Sequence, residues 1–128
     1  LTIMFSYAVL LVAAALHVSF LLTRREQTRD HLFRTAYHIL AWGFLFLTLG
    51  ISTGAAWANA SWGRYWGWDP KEVWALISWS IYALFLHLRI FFKVRREVLA
   101  LVSLIGFAAI LFTYFGVSYL LPGLHSYA

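Results

Sequence analysis

From Thr35 to Gly63 the chain reads TAYHILAWGFLFLTLGISTGAAWANASWG, without one Asp, Glu, Lys or Arg. A helix needs about 20 mainly apolar residues to cross the hydrocarbon of a bilayer. A half-buried strand would alternate apolar and polar residues, and this run does not. The stretch is therefore read as a membrane-spanning helix. Working outward, three more charge-free stretches appear: Leu1–Thr23, Val73–Leu88 and Val98–Ala128. The third is the shortest, but Asp69-Pro70-Lys71-Glu72 before it reads as a helix opening. Asp69 suits the N-cap, Pro70 the first helical position, and Glu72 the third position of a capping box. Arg89 and Lys93 are expected to snorkel from its other end. The predicted fold is all-α, a polytopic membrane bundle of about four helices forming a single transmembrane domain over residues 1–128.

Composition agrees. Only 12% of the 128 residues are charged and 62% are hydrophobic, with mean hydropathy +0.75. Soluble domains carry about 25% charged residues. The net charge of +5 is explained by where the charges lie. Arg24, Arg25, Arg29 and Arg34 separate the first two stretches, and Arg89, Lys93, Arg95 and Arg96 the last two. Only Arg64 and Lys71 lie on the other side. The positive-inside rule then places the 24–34 and 89–97 loops in the cytoplasm, with residues 57–72 and both termini outside. Basicity is thus a topology signal, and nucleic-acid binding is not expected. With no cysteine, disulfides and thiolate metal sites are excluded, and iron has only His or the single Met4 to bind it. Gly50-Ile51-Ser52-Thr53-Gly54 has the spacing that lets helices approach closely, and ordinary packing is the expected role.

The outer loop is unusual. Five of the seven tryptophans fall in the window 57–74: Trp57, Trp62, Trp66, Trp68 and Trp74. An aromatic belt at the headgroups needs one or two such rings per helix end. It does not need Gly63 and Gly67 between them, which permit bends and close approach. Indole faces offer stacking area, and Arg64 or Lys71 could pair carboxylates. A flat apolar ring with two carboxylates would suit such a loop, and haem has that form. A belt and a haem site are both compatible with these residues.

Histidines inside spans are costly and draw attention. His17 lies about 24 Å from the outer start of the first span and His87 about 27 Å from Asp69, at 1.5 Å per residue. His38 sits near the inner start of the second span, and His31, among the inner charges, is expected to be solvated. His17, His38 and His87 could each equally hydrogen-bond a neighbouring helix. His125, after Pro122-Gly123-Leu124, falls on the side of the tryptophan loop, where a neutral imidazole could ligate iron axially.

These residues resemble the cytochrome c assembly family, haem-handling membrane proteins with a tryptophan-rich WWD domain. Trp62-Gly63-Arg64-Tyr65-Trp66-Gly67-Trp68-Asp69 matches the family's WGxxWxWD core at every fixed position. The continuation Pro70-Lys71-Glu72-Val73-Trp74-Ala75-Leu76-Ile77 is similar to the CcsA (ResC) branch. So are Ser52–Asn59, Leu86-His87-Leu88-Arg89 and Gly123-Leu124-His125-Ser126-Tyr127. The resemblance implies haem b as transported substrate, held by Trp62, Trp66, Trp68, Arg64 and Asp69. It implies His125 as an outer axial ligand to the haem iron and His87 as a ligand within the membrane. The implied partners are a CcsB (ResB)-like membrane protein, apocytochrome c and the lipid bilayer. The location is a bacterial cytoplasmic or a thylakoid membrane. The family's first outer histidine precedes a segment like Ser6-Tyr7-Ala8; none precedes Leu1, which reads as a chain beginning inside a longer protein. His17 and His38 match no family ligand.

The implied function is haem delivery and ligation to apocytochrome c, as a component of a cytochrome c haem lyase, with no general acid or base evident. Two other readings stand beside it. One is a CcmC-like exporter that passes haem to a chaperone. The other is a structural membrane subunit whose tryptophans only anchor at the interface.

Overall fold

The computed structural model describes residues 2–68 and 70–116. Four helices follow one another: α1 (Thr2–Leu22), α2 (Glu26–Trp62), α3 (Pro70–Phe91) and α4 (Arg96–Leu111), the last continuing as a π-helical turn over Phe112–Gly116. All four have the length and hydropathy to cross a membrane. Among the described residues there is no strand.

Neighbouring helices run antiparallel. Phe5 meets Phe46 and Phe20 meets Phe33 between α1 and α2. Trp79 of α3 stacks on Phe44 of α2, and Trp74 of α3 meets Phe112 beyond α4. Tyr7 of α1 meets Tyr114, closing the bundle. The result is an up-down-up-down bundle in which α1 and α2 share the longest interface and α4 packs on both α3 and α1. The core holds Leu10, Phe20, Phe33, Leu40, Leu47, Tyr82, Phe85, Leu99 and Ile110. Leu11, Leu45, Leu84, Leu101 and Ile105 face outward, as expected where the surrounding solvent is lipid.

Small residues set the spacing of the helices. A side chain at Gly50 would place its Cβ 2.9 Å from Ile3 Cβ and 3.0 Å from Ile3 Cα. A Cβ at Gly43 would fall 2.7 Å from Leu10. Ser6 uses the same contact to donate to the Gly43 carbonyl at 3.0 Å, satisfying a buried hydroxyl where no water reaches. Gly54, the other half of the close-approach pattern, meets nothing within 4 Å. Only the first glycine of the pair therefore acts in α1–α2 packing.

Two boundaries differ from the sequence expectation. The second span was expected to begin at Thr35, after a loop. Instead α2 begins at Glu26 and runs 37 residues, about 55 Å against roughly 30 Å of hydrocarbon. Arg29, Asp30 and Arg34 thus lie on the helix, which continues because its charges find partners across the bundle. Arg29 of α2 bonds Glu97 of α4 at 2.8 Å, and Arg96 of α4 pairs with Glu26 and Asp30 of α2. The loop between α3 and α4 likewise shrinks to residues 92–95. Arg89, expected to snorkel, is exposed, and its guanidinium lies over the Tyr37 ring, 5.0 Å from the centroid, and 5.9 Å from that of Phe33.

Candidate functional site

The end opposite these charges carries the tryptophan loop. α2 stops at Gly63, whose φ of 77° is left-handed and whose N–H bonds the Asn59 carbonyl, a stop that glycine makes without strain. The chain then folds back over the start of α3. Glu72 Oε2 accepts from the Gly67 N–H at 2.8 Å. The carboxylate thus reaches back past the start of α3, and the capping-box bond expected at Asp69 falls outside the described residues. Pro70 opens α3 as anticipated; Asp69, the expected N-cap and site residue, lies outside the described residues.

Between these elements lies an open cavity of about 320 Å³. α1 supplies Ile3, Met4 and Tyr7; α2 supplies Gly54, Trp57 and Ala58; the loop supplies Tyr65 and Trp66. Glu72 and Ala75 of α3 and Thr113 and Tyr114 of the π-helical turn complete it. The first three helices and the turn that follows α4 thus all contribute. The wider π turn is a feature that often marks functional positions in helices, and Thr113 holds it by bonding the Ala109 carbonyl at 2.8 Å.

The five loop tryptophans are not equivalent. Trp57 and Trp66 line the cavity. Trp62 stands edge-on to Trp57 at 5.0 Å, and Trp68 edge-on to Trp66 at 5.7 Å. The predicted site residues Trp62 and Trp68 therefore back the two lining indoles and do not form the wall themselves. Trp66 Nε1 is buried and has no hydrogen-bond acceptor. Trp68 has φ 55°, a left-handed conformation costing a non-glycine residue roughly 1–2 kcal/mol, and is 68% exposed. Arg64 is exposed and its guanidinium crosses Gly67, where an added Cβ would be 3.2 Å from Nε. It does not reach the cavity wall.

The residues fit a flat, largely apolar ring with an anionic edge. Two indoles provide faces, Gly54 leaves open space on the α2 side, and the orphaned Trp66 N–H is a donor waiting for an acceptor. Met4, Tyr7 and the π turn were not anticipated as part of the site. The only signals were that Met4 is the sole methionine and that Tyr7 sits in the Ser6-Tyr7-Ala8 segment. His125 lies outside the described residues, and no described histidine borders the cavity.

The other histidines separate clearly. His17 is fully buried between Phe33 and Phe85, with ring centroids at 5.8 and 5.5 Å, and neither ring nitrogen has a hydrogen bond. His38 is exposed beside Tyr37. His87 is exposed near the basic end of α3. Its Nδ1 bonds the Ala83 carbonyl at 2.8 Å. A carbonyl only accepts, so Nδ1 donates in this bond, which leaves Nε2 as the ring nitrogen open to another group. Among the described residues no group of three His, Asp or Glu converges as a metal site.

Comparison with known proteins gives the same family as the WGxxWxWD core. A protein of spinach (Spinacia oleracea) named cytochrome c biogenesis protein CcsA is 50% identical over 103 residues, covering 80% of this chain and 32% of its own length. Proteins of that name from papaya (Carica papaya) and Arabidopsis thaliana are 48% identical over 115 residues and 53% over 92. They are covered over 36% and 28% of their lengths, so the chain spans about a third of the curated relatives it matches. Residues 1–125 match the family described as cytochrome C assembly protein, and the chain belongs to that family.

Proposed function

We propose that this chain forms the part of a CcsA-like protein that presents haem b to apocytochrome c on the outer side of the membrane. The observation that carries the reading is the indole-walled cavity at the tryptophan end, lined by α1, α2, α3 and the π-helical turn. A belt of interfacial anchors would turn its rings into lipid. Here Trp57 and Trp66 face a shared space, and Trp62 and Trp68 brace them.

Haem is the substrate. The faces of Trp57 and Trp66 stack on it, and the Trp66 N–H donates to a propionate. Trp62 and Trp68 hold those indoles in place, and Asp69 and Arg64 border the loop. His125 supplies an axial nitrogen from beyond the described helices. The apocytochrome's two thiols each add across a haem vinyl group, sulfur to one carbon and hydrogen to the other, so no electrons are exchanged. The chain's contribution is to hold the ring still while the thiols approach. The eight basic residues of the other end, by the positive-inside rule, face the cytoplasm. There His87 offers its free Nε2 at the bundle surface, where the CcsB-like partner packs and haem first binds within the membrane. The exporter reading has no observation of its own in its favour.

The test is the absorption spectrum of the full-length protein purified with its CcsB-like partner. A Soret band is expected, diminished in His125→Ala and in Trp66→Ala at equal protein yield. A colourless wild-type complex would sink the haem reading. A normal band in Trp66→Ala would remove the cavity from the site.

A further inference from the structure

We propose that the core of the bundle binds water at a site formed by His17 of α1, Tyr82 of α3 and Ser103 of α4. All three side chains are buried, with at most 1% of each residue exposed. Neither ring nitrogen of His17, nor Tyr82 Oη, nor Ser103 Oγ has a hydrogen bond within the protein. Ring contacts nearer the outer end set the register of the three helices. Tyr7 of α1 meets Tyr114 beyond α4, and Trp74 of α3 meets Phe112. Counting inward at about 1.5 Å per residue, His17 lies about 15 Å from Tyr7 and Ser103 about 17 Å from Tyr114. On the same rise Tyr82 lies about 12 Å from Trp74 and Ser103 about 14 Å from Phe112. The three therefore share one layer of the core. Their neighbours agree. The Tyr82 ring lies against Gly106, one turn from Ser103, where an added Cβ would be 3.0 Å from Cζ, the carbon bearing the hydroxyl. Phe85, one turn from Tyr82, meets the His17 ring at 5.5 Å.

Elsewhere in the spans the chain satisfies such groups by itself. Thr48, Ser78 and Thr113 each give the hydroxyl to the carbonyl one turn back, and Ser6 gives its own to the Gly43 carbonyl. Ser103 does neither. A neutral imidazole has one bare nitrogen, which needs a donor, so no backbone carbonyl can serve it. Inside a bilayer a buried polar group left without a partner is costly. His17, Tyr82 and Ser103 all fall in stretches without Asp, Glu, Lys or Arg, so the layer lacks the charge that would hold an ion. It presents two hydroxyls and an imidazole, the complement of a small neutral molecule that donates and accepts through one oxygen. A buried water typically makes about three hydrogen bonds, and one side chain from each of three helices supplies them. Water held there ties α1 to α3 and α4, where apolar packing alone does not specify which faces meet. The site does not depend on haem being the cargo of the tryptophan end.

The experiment is hydroxyl-radical labelling by X-ray radiolysis of the full-length protein in nanodiscs, read residue by residue by mass spectrometry. Radicals formed from bound water modify the side chains beside it even where bulk water does not reach. Tyr82 is expected to be labelled at a rate approaching that of the exposed Tyr65, and Phe20, equally buried in another part of the core, to stay unlabelled. In Ser103→Ala, which takes away one partner of the water, labelling of Tyr82 is expected to fall severalfold. A second measurement turns on the sign of a stability change. Tyr82→Phe removes only the hydroxyl, and the unfolding midpoint is expected to drop by about 2 °C or more, because the water and its remaining partners lose a bond. A hydroxyl with no water beside it would give the opposite sign, since its removal would relieve a buried orphan. Labelling of Tyr82 no faster than that of Phe20, labelling unaffected by Ser103→Ala, or a raised midpoint in Tyr82→Phe each overturns the proposal. The wild-type labelling decides the matter even if a variant fails to fold.

Discussion

At the basic end, Arg29 of α2 and Glu97 of α4 meet at 2.8 Å, and Arg96 reaches Glu26 and Asp30. At the tryptophan end, the buried Trp66 N–H has no acceptor, and Trp68 is held at φ 55°. The first arrangement satisfies charges across helices that are distant in sequence, and so fixes how α4 sits on α2. The second leaves a donor unused and a backbone strained around an open space. A buried donor without a partner carries a penalty of about 1–3 kcal/mol, and Arg29 Nε at the basic end bears one as well. Ion pairs hold one end of the bundle together, and the other end surrounds an open cavity.

That contrast can be broken at the packing that supports it. Gly50→Leu pushes a side chain into the backbone of Ile3 and is expected to cost about 3 kcal/mol, at the upper part of the range for overpacking. Thermal unfolding in detergent would show it, and an unchanged midpoint would mean α1 and α2 are not packed as described. Gly54→Leu, four residues along the same helix, sharpens the comparison. Its side chain enters space open in the structure, so the unfolding midpoint is expected to hold while the Soret band is lost. A retained band with normal stability would place haem elsewhere.

Smaller effects test the indoles and the helix contacts. Trp66→Phe keeps a ring but removes the unsatisfied N–H. Haem affinity is expected to fall by about 1 kcal/mol, roughly fivefold, while stability rises or holds because the orphaned donor has gone. A loss of stability would show that the N–H has a structural partner. Ser6→Ala removes the bond to the Gly43 carbonyl and is expected to cost about 1 kcal/mol in unfolding with no spectral change. Trp68→Gly relieves the left-handed strain and gives up an exposed ring. Its unfolding midpoint is expected to move least of all, with haem occupancy reduced through the loss of support to Trp66.

The number and order of the helices were legible from the sequence because each depends on a continuous local property, an apolar run bounded by charges. The start of α3 was legible for the same reason: Pro70 and Glu72 act within one turn. The tryptophan cluster identified the candidate end, and the WGxxWxWD core identified the family. Other features were decided only by tertiary structure: which indoles line the cavity, that Met4, Tyr7 and a π turn join them, that Arg89 lies over Tyr37, and that His17 is sealed in the core. The physical reason is that lipid and protein interior are equally apolar. Leu10 is buried and Leu11 faces outward, yet nothing in their chemistry distinguishes a core position from a lipid-facing one. In a membrane bundle composition determines that helices form, but the meeting of their faces determines where the space between them lies.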